Sequence, residues 1–128
     1  HLERIADGAV DAASTLSSLD STPVTGVLVE LEALARLVAT MTETAVEAFV
    51  HQDAELASEV EVLGDQLEVQ REQVFEALLE AQEAGVGNGS QLKLDRISRR
   101  LGRAGDHAVE SVDDVVTLVT GAYAAPVE

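Results

Sequence analysis

Apolar residues recur along this chain every three or four positions, the spacing that lays them down one face of an α-helix. The first stripe is Leu2, Ile5, Ala9, Ala12, Leu16 and Leu19. It ends in Asp20-Ser21-Thr22-Pro23, where Thr22 suits an N-cap and Pro23 the first turn of the next helix. A second stripe, Val27, Leu31, Leu34, Val38, Met41, Ala45 and Phe49, predicts a helix to about Val50. His51-Gln52-Asp53 then reads as a tight connector, with Asp53 capping a third helix. That helix carries Leu56, Val60, Leu63, Leu67, Val74 and Leu78 at near-heptad spacing as far as Ala84. Gly85-Val86-Gly87-Asn88-Gly89 breaks it, and Ser90 is the expected cap of a fourth helix. Leu94, Ile97, Leu101, Ala104, Ala108, Val112, Val115 and Val119 extend that helix to Gly121. No segment reads as a strand.

Short connections make successive helices antiparallel neighbours, each with one stripe to bury. The predicted fold is all-α, an antiparallel up-and-down bundle of about four helices. An internal repeat refines the organisation. Leu2–Asp11 aligns with Leu101–Glu110 at an offset of 99 residues, with five identities in ten. On this reading residues 1–20 are the last helix of a preceding repeat that is otherwise absent. Residues 21–122 form one complete three-helix repeat, and residues 123–128 a flexible tail.

Charge narrows the function. The 128 residues hold 24 acids against 8 Lys and Arg, a net charge of −16, with one lysine, Lys93. Such a field repels phosphate backbones, and three aromatics (Phe49, Phe75, Tyr123) give no stacking platform, so nucleic-acid binding is excluded. The acid excess suits a high-salt cytoplasm. With no cysteine there is neither a disulfide framework nor a thiolate metal site. No stretch approaches the roughly 20 apolar residues of a membrane span, so the expectation is a cytoplasmic protein that reaches a membrane only through a partner.

Two segments carry a resemblance. Leu2-Glu3-Arg4-Ile5-Ala6-Asp7 and Arg103-Ala104-Gly105-Asp106-His107-Ala108-Val109 resemble the Leu-Glu-Arg-Ile-Gly-Asp-His-Ala-Val signature of the PhoU family of phosphate-signalling regulators. Ala48 to Ala57 is similar to that family's helix-turn-helix junction, and the likeness continues from Val60 to Phe75. The accessory proteins of inorganic-phosphate permeases, a divergent branch, fit the first helix nearly as well. The resemblance implies a three-helix repeat and a non-enzymatic adaptor, while the apolar surface left over by the near-heptad third helix predicts a homodimer. The adaptor's partners would be a phosphate transporter subunit or a sensor kinase, and its task restraint of the phosphate-starvation response. The resemblance also implies surface Glu/Asp-x-x-x-Asp motifs able to hold an iron or zinc ion.

Glu3 and Asp7 keep that motif, and a four-residue spacing places both carboxylates on one helical face. In the fourth helix Gly102 stands where the motif has glutamate, four residues before Asp106, and the third helix reads Gly64 and Glu68. Metal is therefore expected at Glu3 and Asp7, with Asp106 the weaker candidate, helped by Asp65, Glu61 or Glu68. The alternative for each acid is a solvated face. Arg96, Arg99, Arg100 and Arg103 cluster on the fourth helix and are the candidate partner contacts, against the simpler reading as charge pairs with neighbouring acids. Enzyme chemistry is not expected: no serine sits in a nucleophile elbow, and the glycine-rich loop lacks the lysine of a phosphate loop. The alternatives to the adaptor are a metal-binding or metal-sensing bundle and a helical dimerisation domain of a larger transport regulator.

Overall fold

The structure, a computed structural model, describes Arg4 and residues 22–124. These residues form three helices, α1 (Thr22–His51), α2 (Ala54–Glu83) and α3 (Asn88–Ala124), which are the second, third and fourth of the predicted segments. No strand occurs among the described residues. The predicted first helix, with the first copy of the repeat, lies outside them apart from Arg4, which is helical and exposed.

Each helix stops where the backbone can turn. At the end of α1, Gln52 takes a left-handed φ of 51°. Its N–H donates to Phe49 O (3.4 Å) and the Asp53 N–H to Ala48 O (2.9 Å), which satisfies two carbonyls of the last turn. Asp53 then starts α2, its side chain accepting from the N–H groups of Glu55 and Leu56 at 2.9 and 3.2 Å. α2 ends in the same way. Gly85, at φ 97°, donates to Gln82 O, and Val86 donates to Ala81 O, both at 3.0 Å. Val86 also packs against the core, so the chain has already reversed by residue 87. Ser90 is therefore not the cap. α3 begins at Asn88, and the Gly87 carbonyl accepts its first bond, from the Gln91 N–H at 3.0 Å.

All three helices pack against one another around a single core. α1 contributes the most, with Val27, Leu31, Leu34, Ala35, Val38 and Met41 fully buried. Thr42 is the buried polar residue, and its hydroxyl donates to Val38 O at 2.8 Å, so nothing polar is left unpaired there. On α2 the buried positions Val60, Leu67, Val74 and Ala81 fall seven residues apart. A strict heptad drifts against the 3.6-residue turn and holds α2 in contact only if the helices wrap slightly. Two glutamines bridge helices. Gln70 donates to the Glu30 carbonyl and carboxylate (3.0 and 2.8 Å), and Gln91 donates to Leu78 O (2.9 Å).

Candidate functional site

α2 and α3 run antiparallel along a seam that the sequence marks with glycines inside helices. Each glycine costs about 1 kcal/mol of helix propensity against alanine, so packing has to require it. At Gly105 it does: a Cβ there would lie 2.7 Å from Leu67 Cδ2, closer than real contacts allow. At Gly64 a Cβ would press on Val109 at 3.1 Å. The two helices approach closely here, and their polar side chains are drawn together at the seam's outer edge.

Arg71 lies at the centre of that edge. Its Nη1 donates to both carboxylate oxygens of Asp106 (3.1 and 3.3 Å) and to Glu68 Oε2 (3.3 Å). The guanidinium occupies the space above Gly102, where a Cβ would stand 2.7 Å from it. Gly102 thus admits the arginine that holds Asp106. Two to three turns away Glu61 of α2 meets Asp113 of α3. The Glu61 carboxyl is pushed above its ordinary value, first by a hydrogen bond with Asp113, then by loss of water, then by the neighbouring charge. His107 Nδ1 lies 3.4 Å from Glu110 on the exposed face.

Asp106, the weaker metal candidate, is set against a guanidinium in this arrangement. A cation needs several convergent free oxygens, whereas the Asp106 carboxylate is taken by a guanidinium, as is one oxygen of Glu68. Among the described residues no group of three or more His, Asp or Glu side chains could hold an ion. Asp65 is exposed and adds no ligand, and Glu61 is turned to Asp113. Glu3 and Asp7 lie outside the described residues.

The four arginines divide. Arg99 pairs with Asp95 at 2.9 Å, one helical turn earlier. Arg96, Arg100 and Arg103 are exposed and make no ion pair among the described residues. The sequence offers this cluster either as partner contacts or as charge pairs with neighbouring acids, and among the described residues an ion pair holds Arg99 alone. Arg71, by contrast, was missed. Its partners are 35 residues away, and the available signal was the pair of helix-interior glycines, Gly102 and Gly105, facing an arginine across an antiparallel register.

The PhoU domain matches residues 31–115, from Leu31 of α1 to Val115 of α3, both fully buried. The chain belongs to the PhoU family, a non-enzymatic family of phosphate-transport regulators. No curated protein and no solved structure matches it. Among the described residues no helix is long and apolar enough to cross a membrane.

Proposed function

We propose that this protein is a regulatory adaptor of phosphate uptake and of the phosphate-starvation response, working by contact with a phosphate transporter subunit or its sensor kinase. The observation that carries the reading is the PhoU domain match, which spans most of the three-helix bundle. The arginines of α3 that make no ion pair among the described residues supply the contact. Arg96, Arg100 and Arg103 project from the solvent face of α3 in a chain of net charge −16, so they mark a local reversal of sign. A reversal of that kind selects a partner surface of acidic character and speeds its encounter more than it fixes affinity. The wider acidic field turns away nucleic acid and other anions.

Affinity purification of the tagged protein from phosphate-replete cells tests this. The transporter's ATPase subunit or the sensor kinase is expected to be retained by the wild type. Arg96→Glu, Arg100→Glu and Arg103→Glu together should abolish that retention. Recovery of no component of the phosphate system with the wild type would overturn the adaptor reading.

A further inference from the structure

α1 is buried over a wider arc than its neighbours account for. α2 also lies between two helices, and it buries a single series seven residues apart, from Val60 to Ala81. On α1 two series of that spacing flank Leu31 and Val38. One runs from Val27 through Leu34 and Met41 to Ala48, and the other is Leu28, Ala35 and Thr42. The second lies about 100° further round the helix. It is turned away from α2, because Glu30, which Gln70 of α2 reaches, lies on the other side of the first.

This cover stops abruptly. One turn past Thr42, Val46 continues the same face at 55% exposed, followed by Phe49 and Val50 at 54% and 66%. The end of α3, the helix on that side, is not the reason. The Gln70–Glu30 and Gly64–Val109 contacts set the register, and by it Val46 is level with about residue 119 of α3. α3 runs on to Ala124. Something else covers Leu28, Ala35 and Thr42, and it ends before Val46.

We infer that the cover is the chain's own first segment, residues 2–19, lying antiparallel to α1 along the edge that α1 shares with α3. Asp20-Ser21 is a two-residue connection, which makes the segment an adjacent antiparallel neighbour of α1. Each of its residues is then level with the α1 residue that brings the two numbers to a sum of about 42. Leu2 thus reaches about residue 40, and nothing is left to lie over Val46. A second copy of the chain has no reason to stop at that point. The stripes also mesh: Ala12 and Leu16 straddle the level of Leu28, and Ile5 and Ala9 that of Ala35. Arg4, the described residue of the segment, is helical and exposed, as a position off the stripe has to be. Glu3, Asp7 and Asp11 fall on the side opposite the stripe, so seating the segment buries no charge. The domain is then a four-helix bundle whose bare apolar end is Val46, Phe49 and Val50. This placement does not rest on the adaptor reading, because it concerns one purified chain.

The chain has no cysteine, so pairs of introduced thiols test it directly. Leu2→Cys with Ala39→Cys, and Ala9→Cys with Glu32→Cys, are level across the contact, on α1 positions that are half-buried. Ala9→Cys with Ala33→Cys is equally level, but Ala33 is exposed and lines the groove between α1 and α2. In dilute full chain under a mild oxidant, the first two pairs should each close a disulfide within one molecule. The third should close at least about tenfold more slowly. Leu16→Asp, which sets a charge into the contact, should slow the first two by a similar factor, and Ser18→Asp, off the stripe, should not. Circular dichroism separates an undocked segment from an unfolded bundle. Faster closure of the third pair would put the segment on the wrong side of α1, and disulfides joining two molecules would make a second copy the occupant. Either result, no closure in any pair, or closure indifferent to Leu16→Asp would overturn the inference.

Discussion

Glu61 and Asp113 place two carboxyls together at the α2–α3 seam, and the Glu61 carboxyl answers by holding its proton more firmly than an ordinary glutamate. The sign of the linkage follows. A carboxyl whose folded pKa is raised favours the fold below the unfolded value, and that contribution is lost as pH rises through the folded one. At neutral pH that contribution is absent, and the two like charges remain side by side. Glu61→Gln keeps a donor for Asp113 without the second charge, so it should raise the melting temperature at pH 7 and change it little near pH 4. Thermal melts at the two pH values check this, and an equal effect at both would remove the linkage. The same scale explains what the sequence hid. Gly102 reads as a deleted carboxylate, yet in the fold it is the space that Arg71 fills, with Asp106 and Glu68 as its partners. With the arginine a third exposed and the acids more so, the bridge is worth about 1 kcal/mol or less. Its consequence is to occupy the acids rather than to add stability.

At the scale of the helices, the chain announces its breaks through residues with a specific local task. Asp53 was legible because a side-chain acceptor just before an apolar run can satisfy the first free N–H groups, and it does so for Glu55 and Leu56. Asp53→Ala should cost about 1 kcal/mol, read as a lowered denaturant midpoint at unchanged slope, and Asp53→Asn should restore most of it. No loss in the alanine variant would mean that the Gln52 turn alone starts α2. Ser90 was misleading for the opposite reason. It has the chemistry of a cap, but the position is fixed by Val86 entering the core, which brings the start of α3 forward to Asn88. The stripes themselves were legible in Val60, Leu67 and Val74, which are buried as spaced, but not in Phe49, which closes the α1 stripe and stands exposed. The outward residues were not, because periodicity separates inside from outside and does not say which helices face each other.

Over the whole molecule, the core has to hold together a surface that repels itself. The chain carries 24 acids against 8 Lys and Arg, and five of those eight lie in one stretch of α3, so the exposed glutamates of α2 face one another with little compensation. Unfolding separates these charges, so repulsion lowers the stability of the compact state. Salt removes the penalty: the screening length falls from about 10 Å at 0.1 M to about 3 Å at 1 M. Melting should therefore rise steadily with sodium chloride over that range, by about 4 °C for each kcal/mol of repulsion relieved in a domain of this size. The measurement belongs at low protein concentration, so that self-association adds nothing to the apparent stability. Sucrose is the control, since it strengthens burial by exclusion without screening charge. A rise with salt that sucrose reproduces, or no rise at all, would mean that the acidic stripes are not close enough to repel. In that case the charge of this surface would matter for the choice of partner alone.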